Sequence, residues 1–219
     1  MIIEEKHVCM YRNGDSPSPL IIMNTFEGDG SDVYNALKMM TDKAFILAVI
    51  SDIDWHDEMT PFECPPLFKK DSPYTGGADG YLKKLTEVFL PQIYDKIDSR
   101  PAYTAIAGYS LGGLFALYSL YKTDIFSKAV SASGSLWYPG IMDFIKENDL
   151  PHKPDMVYLS LGDKEALTKN QILSAVEKNT VEICRHFKDK GINTIFELNE
   201  GNHFKDADIR LAKGISKIL

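Results

Sequence analysis

Short, mostly apolar runs alternate along the chain with longer segments in which apolar residues recur every three or four positions. The runs are typical of strands buried on both faces of a sheet, and the longer segments of amphipathic helices. The predicted strands are 8–12, 20–25, 45–50, 103–107, 128–132, 156–161 and 194–198, with 2–5 pairing antiparallel at one edge. The predicted helices are 31–42, 79–98 with a kink at Pro91, 111–121, 170–190 and 206–219. This alternation predicts an α/β fold, a mostly parallel sheet with helices on both faces.

Residues 51–77 form the least regular segment and are rich in Pro, Asp and Gly. A loop of this length inside a compact domain is usually functional or disordered. It follows a predicted strand, so it should lie at the carboxyl edge of the sheet, where open α/β sheets bind ligands. We therefore expect this loop to shape a pocket.

Composition narrows the class of protein. The 219 residues suit one domain over 1–219, and 44% hydrophobic with 25% charged residues is ordinary for a soluble globular protein. A net charge of −7 argues against a nucleic-acid partner, and neither a secretory signal nor an apolar run long enough to cross a membrane is evident. Cys9, Cys64 and Cys184 form no C-x-x-C pair, which argues against a disulfide framework or a cysteine zinc site. A reduced, cytoplasmic protein is the expectation.

The motif Gly108-Tyr-Ser110-Leu-Gly112 lies between a predicted strand and a predicted helix. A serine in this setting is the signature of a nucleophile elbow, a sharp and strained turn that exposes the hydroxyl. The glycines allow the turn and the close approach of strand and helix. The same residues also suit a structural turn with Ser110 as the helix N-cap. The strand before and the helix after favour Ser110 as a nucleophile.

A serine nucleophile needs a base, and in an elbow protein the partners follow in the order Ser, acid, His. Asp163 and Glu165 come directly after the predicted strand 156–161, where the orienting carboxylate belongs. We favour Glu165, because a longer side chain can turn back toward a histidine, and Asp163 remains the alternative. Both could instead be solvated charges at a helix start. His203, in the short loop between the last strand and the last helix, is the predicted general base.

The remaining histidines are less suited to this role by their positions. His7 lies near the amino terminus, His152 lies in a proline-flanked loop, and His186 should pack on an amphipathic helix. His56 lies in the acidic segment 52–58, which could be read as a metal site because carboxylates with a histidine suit divalent ions. The segment lacks a second histidine at ligand spacing, so we expect a solvated pocket rim and no metal.

An attacked carbonyl develops negative charge and needs preorganised N–H donors. One donor should be the backbone N–H of Leu111, the residue after the nucleophile. The other should come from the loop after the early strand 20–25, which points to Thr25 or Phe26 ahead of a Gly-Asp-Gly turn.

Several short motifs follow one another along most of the chain, from about Leu20 to Phe204. They are 20–26, 55–62, 76–79 with 81–82, 108–113, 131–137, 162–165 and 201–204. In this order they resemble the putative-esterase group of α/β hydrolases, which includes enterochelin (iron-siderophore) esterases, S-formylglutathione hydrolases and feruloyl or acetylxylan esterases. The resemblance implies an α/β-hydrolase fold without a large cap domain.

The resemblance also implies roles for single residues. Ser110 matches the nucleophile and His203 the base, and Glu165 falls three residues after Gly162, where the group usually has its acid. Phe26 matches the position whose N–H is the second oxyanion donor.

Two positions depart from the group's pattern. Thr25 stands where glycine is usual, which should bear on the oxyanion loop, and Phe62 stands where tryptophan is common, which should bear on the acyl pocket. We expect Trp137 and the 51–77 loop, with Trp55, to line the substrate pocket.

The sequence as a whole predicts a serine carboxylic-ester hydrolase that forms an acyl-enzyme on Ser110. Its partner is a small-molecule ester, and it needs no metal or organic cofactor. A thioesterase or peptidase would use the same triad, and a binding module could keep the fold without turnover. The complete Ser, acid and His series favours an enzyme.

Overall fold

The computed structural model describes residues 1–15, 17–67 and 72–219. Within these residues the strands are β1 (Ile2–Ile3), β2 (Lys6–Asn13), β3 (Leu20–Asn24), β4 (Phe45–Ile50), β5 (Glu63–Cys64), β6 (Tyr74–Thr75), β7 (Thr104–Tyr109), β8 (Lys128–Ala132), β9 (Met156–Gly162) and β10 (Asn193–Asn199). The helices are α1 (Ser31–Met40), α2 (Ala78–Lys84), α3 (Leu90–Tyr94), α4 (Leu111–Ser119), α5 (Ile141–Glu147), α6 (Gln171–Ser174), α7 (Val176–Asp189) and α8 (Ala207–Ile218). A π-helical segment, Leu85–Phe89, joins α2 to α3. None of the helices in this part of the chain is both long and apolar enough to cross a bilayer.

The main sheet has the strand order β1-β2-β4-β3-β7-β8-β9-β10. From β4 to β10 every pairing is parallel, and β1 and β2 add an antiparallel edge, as predicted. The short strands β5 and β6 form a separate hairpin inside the irregular 51–77 segment. The predicted α/β fold is confirmed, and no large cap domain is present among the described residues.

The core lies in two layers because successive strand residues face opposite sides of the sheet. On one side, alternate residues such as Ile22, Ala48 and Ile106 pack against α2 to α5 and α7. On the other side, residues such as Met23 and Val49 pack against α1 and α8. Helices therefore cover both faces and leave the carboxyl edge of the parallel strands open for a site.

Observed and predicted elements differ mainly where hydrogen bonding is irregular. β4 and β8 have the predicted bounds, whereas the predicted helix 79–98 ends at Tyr94 and contains the π-helical segment. Pro91 has no N–H to donate, and directly before it Leu90 donates to the carbonyl of Leu85, one residue further back than in an α-helix. The predicted helix 170–190 is divided at Ala175. Neither α5 nor the β5–β6 hairpin is predicted by the hydrophobic pattern.

Two helical glycines offer a matched test of packing against helix propensity. A Cβ at Gly214, on α8, would lie 2.6 Å from Val130 Cγ1 and 2.8 Å from the Tyr158 ring. A Cβ at the exposed Gly80, on α2, would meet no atom within 4 Å. We expect Gly214→Ala to lower the free energy of unfolding by about 1 to 3 kcal/mol through overpacking. Gly80→Ala should raise it by about 0.5 to 1 kcal/mol. Urea denaturation measures both, and a Gly214→Ala protein as stable as wild type would contradict this packing.

Candidate active site

Ser110 lies at the junction of β7 and α4 with a backbone conformation that side-chain-bearing residues rarely adopt, φ 56° and ψ −122°. Several hydrogen bonds hold this conformation in place. The N–H of Ser110 donates to the carbonyl of Ala132 at 3.2 Å, and its own carbonyl accepts from Ser135, Gly113 and Leu114 at 2.9 to 3.1 Å. Backbone strain of this kind persists only where surrounding contacts hold the residue in place, as these hydrogen bonds do.

Glycines around Ser110 allow the strand and the helix to meet. A Cβ at Gly108, on β7, would overlap the carbonyl group of Gly112, in the first turn of α4. A Cβ at Gly112 would lie 3.1 Å from the ring of Trp55 and 3.3 Å from the carbonyl oxygen of Asn24. The G-x-S-x-G spacing therefore reflects contact between backbones.

His203 and Glu165 extend from Ser110 in a hydrogen-bonded line. Nε2 of His203 is 3.0 Å from Ser110 Oγ, and its Nδ1 is 2.8 Å from Glu165 Oε2. The loop between β10 and α8 carries His203, and the turn after β9 carries Glu165. Tyr109 also anchors this loop, because its hydroxyl donates to the carbonyl of His203 at 2.7 Å.

The carboxylate of Glu165 is buried and fully hydrogen-bonded. Its Oε1 accepts from the N–H of Gly162, from the hydroxyl of Ser133 at 2.7 Å and from Arg210 at 3.3 Å. Burial raises the pKa of this carboxyl, but the hydrogen bonds from His203, Gly162 and Ser133 outweigh it, and the pKa lies below its usual value. Glu165 is therefore ionised at neutral pH.

Asp163, the alternative acid, points elsewhere. Its side chain is exposed, and Oδ1 accepts from the N–H of Gly201 at 2.7 Å. This bond ties the turn after β9 to the loop after β10, which approach so closely that a Cβ at Gly162 would overlap the carbonyl of Gly201. The geometry pairs Glu165, not Asp163, with His203.

The two predicted oxyanion donors can be compared through their backbone partners. Leu111 is the first residue of α4, so its N–H has no acceptor within the helix. The N–H of Thr25 donates to the carbonyl of Ile50 at 3.0 Å, so it is already occupied and Phe26 remains as the second candidate. The hydroxyl of Thr25, at the position where glycine was expected, donates to the carbonyl of Glu27 at 3.0 Å and closes this turn.

A cleft of about 250 Å³ opens beside Ser110. Its walls come from the irregular segment, from the turn after β8, from α6 and α7, and from the histidine loop: Leu67, Tyr74, Ser135, Trp137, Leu173, Val176 and Phe204. Trp55 lies in an adjacent hollow of about 430 Å³ with Phe26, a residue that is 57% exposed and whose ring meets the indole edge-on at 6.1 Å. The predicted loop therefore lines the site, although its residues 68–71 lie outside the described residues.

One residue, Phe62, differs from expectation. Phe62 does not line the cleft and packs instead against Phe144 and Tyr118, with ring centroids 5.7 and 6.2 Å away.

A larger hollow, about 880 Å³, lies near Thr104 at the opposite edge of the sheet, and neither Ser110 nor His203 lines it. The candidate site is therefore identified by the Ser110–His203 contact and not by the volume of the hollow.

Side chains of the acidic segment 52–58 stabilise its own turn and bind it to β2. Glu58 accepts from Lys6 at 2.5 Å and from the N–H of Asp54 at 2.7 Å, and its side chain is only 13% exposed. The expectation of a solvated rim is therefore wrong for Glu58, because its side chain is mostly buried and paired with Lys6. Asp52 pairs with His7. Among residues 1–15, 17–67 and 72–219, no cluster of three or more His, Cys, Asp or Glu side chains could hold a metal.

The sequence motifs predict no role for several polar residues around Ser110, His203 and Glu165. Ser135 Oγ is 3.3 Å from Ser110 Oγ, and Ser133 binds Glu165. Arg210 is a charged residue on the buried stripe of α8, beside Leu211 and in line with Gly214. A charge at an apolar position of an amphipathic helix was the signal that could have identified it.

The family model described as "Putative esterase" matches residues 33–205. The "Uncharacterized protein YbbA" of Bacillus subtilis is 28% identical over 174 residues, 74% of this chain and 70% of that protein.

Solved structures share the fold. Siderophore hydrolase EstA from Aspergillus nidulans matches with a TM-score of 0.75 at 20% identity, over 97% of this chain and 89% of its own. An IroE-like serine hydrolase from Shewanella oneidensis matches with a TM-score of 0.74 at 16% identity, over 97% of this chain and 80% of its own.

The lowered pKa of Glu165 predicts a pH-dependent contribution to stability. Its ionised form stabilises the fold above the ordinary value of 4.5, and that contribution is lost as pH falls through the lowered pKa. We expect Glu165→Gln to reduce the free energy of unfolding on the order of 2 kcal/mol near neutral pH. The difference from wild type should shrink on acidification below about pH 4, as followed by urea denaturation.

The exposed Glu87 supplies the control. Glu87→Gln should change the free energy of unfolding by less than about 0.5 kcal/mol. A Glu165→Gln difference that stays constant from neutral to acidic pH would show that the carboxylate charge does not stabilise the fold.

Proposed function

This chain belongs to the putative-esterase family and is an esterase, and on that premise we propose that it cleaves carboxylic esters through an acyl-enzyme on Ser110. One observation carries the proposal. The side chains of Ser110, His203 and Glu165 form a continuous hydrogen-bonded line, with separations of 3.0 and 2.8 Å. This is the geometry that a serine nucleophile, its base and an orienting acid require.

In the first half of the reaction, Ser110 Oγ attacks the ester carbonyl carbon while Nε2 of His203 takes the hydroxyl proton. The ionised Glu165 holds the imidazole through Nδ1 and stabilises the imidazolium. The backbone N–H groups of Leu111 and Phe26 bind the oxyanion, and the amino end of α4 adds its dipole. His203 then gives the proton to the departing alkoxide, which leaves as the alcohol.

In the second half, a water molecule attacks the acyl carbonyl of the Ser110 ester. His203 takes a proton from that water and returns it to Ser110 Oγ, so the acid product leaves and the enzyme is regenerated. Each step moves one proton through Nε2, so His203 must be neutral at the start of both attacks.

The substrate we propose is a small-molecule ester, and a siderophore ester is the class to test first. A structural relative bears the name siderophore hydrolase, which supports this class. The cleft of about 250 Å³ suits a small group on one side of the scissile bond, and the Phe26–Trp55 hollow offers an apolar surface for a larger one.

Ser110→Ala is expected to reduce ester hydrolysis by about 10⁴-fold or more, because it removes the hydroxyl that gives its proton to the proposed base and attacks the ester carbonyl. A fluorophosphonate probe should label wild type at Ser110 and leave the variant unlabelled. Ser216→Ala, whose hydroxyl binds a backbone carbonyl on α8 far from the cleft, is the matched control and should behave as wild type.

The assay should include a siderophore ester, an acetylated sugar, short and long acyl esters, a thioester and a peptide. Folded wild type that resists the probe would contradict the serine mechanism. Faster cleavage of the thioester or the peptide would contradict the ester assignment.

The two candidate acids should differ sharply in activity assays. Glu165→Gln is expected to lower kcat by about 10²- to 10⁴-fold, because an amide cannot stabilise the imidazolium. Asp163→Asn should keep kcat within about 5-fold, since the amide oxygen can still accept from Gly201. Steady-state kinetics of both variants measures this, and a larger loss in Asp163→Asn would assign the acid role to Asp163.

A further inference from the structure

Arg210 is a buried cation that the proposed mechanism does not use. Its side chain, on the first turns of α8, is only 3% exposed. Burying a guanidinium is costly, and a buried ion pair is weak evidence for stability because apolar residues of similar volume often do as well. The contacts of Arg210 therefore need an explanation beyond packing.

Those contacts reach Glu165 directly and reach the loop that carries His203 through two of its carbonyls. Nη1 lies 3.3 Å from Glu165 Oε1 and donates to the carbonyl of Asn202 at 3.0 Å, next to His203. Nη2 donates to the carbonyl of Glu200 at 2.8 Å. One planar group thus binds the acid directly and holds the loop that carries the base.

Two more contacts connect Arg210 to the strands beside the nucleophile. Nη1 is 3.4 Å from the hydroxyl of Tyr109 and 3.3 Å from that of Ser133. Tyr109 in turn binds the carbonyl of His203, and Ser133 binds Glu165 Oε1. A Cβ at Gly162 would lie 2.9 Å from Nη1, so glycine at that position leaves room for the guanidinium.

We propose that Arg210 is a positioning residue that aligns Glu165 with His203, by binding the carboxylate and two carbonyls of the histidine loop at once. This inference rests on the proposed function of the same site. A lysine cannot replace the arginine fully, because its single ammonium lacks the planar fork that spans these acceptors.

The charge of Arg210 makes its role distinguishable from a purely structural one. With a cation 3.3 Å from Glu165, protonation of His203 adds a second positive charge to the same small region. A neutral residue at position 210 would favour protonated His203, and the acidic limb of the kcat/KM profile would move to higher pH.

Other charged or titratable groups face this region from neighbouring elements, and all of them stay unchanged in the variants. Burial raises the pKa of the Tyr109 phenol, so it remains protonated. The exposed groups lie on the turn after β9 and on the histidine loop: Asp163, Lys164, Glu200, Lys205 and Asp206. A difference between variants at position 210 is therefore attributable to the guanidinium.

The test compares Arg210→Lys and Arg210→Met with wild type. We expect Arg210→Lys to lower kcat about 10-fold with KM nearly unchanged and the acidic limb in place, because the charge is kept. Arg210→Met should lower kcat about 100-fold and move the limb upward by about 0.5 to 1 pH unit. Rates are referred to the folded fraction measured by circular dichroism. Arg185→Met, at an exposed arginine of α7, is the control and should match wild type.

Two results would overturn the proposal. One is a folded Arg210→Lys protein with wild-type kcat. The other is a folded Arg210→Met protein whose acidic limb does not move. If Arg210→Met does not fold, the lysine variant alone decides. Ser110→Ala, assayed in parallel, separates this outcome from failure of the proposed function, because it inactivates the enzyme whatever Arg210 does.

Discussion

The close approach of β7 and α4 is the constraint on which the rest of the site depends. Gly108 and Gly112 bring the two backbones together, and Ser110 between them takes a conformation that costs about 1 to 3 kcal/mol for a residue with a side chain. Hydrogen bonds from the turn after β8 and from α4 itself offset that cost. The result is a hydroxyl held at the open edge of the sheet beside the free N–H groups of a helix start.

Parallel strand order then brings the remaining groups to the same edge. β7, β8, β9 and β10 are neighbours and end side by side, so the turns after them supply Ser110, Ser133, Glu165 and His203 in spatial sequence. None of these turns holds its residue alone. The carboxylate of Glu165 receives donors from three elements besides the histidine, which is why burial does not neutralise it.

Much of this could be predicted from the sequence because the informative patterns are local. β4 and β8 are apolar runs with the predicted bounds, and the three triad candidates follow separate strands in a fixed order. The rest depends on contacts between distant segments. The conformation of the turn after β9 decides whether Asp163 or Glu165 contacts the histidine. The position of Arg210 is explained only by the carbonyls that it binds in another loop. The π-helical segment before Pro91 likewise depends on how the helix accommodates the N–H that proline lacks.

The separation of Ser110 and His203 along the chain has a consequence for folding. Ser110 and His203 are 93 residues apart, and the strand that leads to His203 pairs with β9 alone among the described strands. Parallel pairings of this kind are non-local and form slowly, since each closes a long loop before it gains any contact. During synthesis His203 emerges well after Ser110. The Ser110–His203 hydrogen bond can therefore form only once β10 has docked against β9, which places it late in chain assembly.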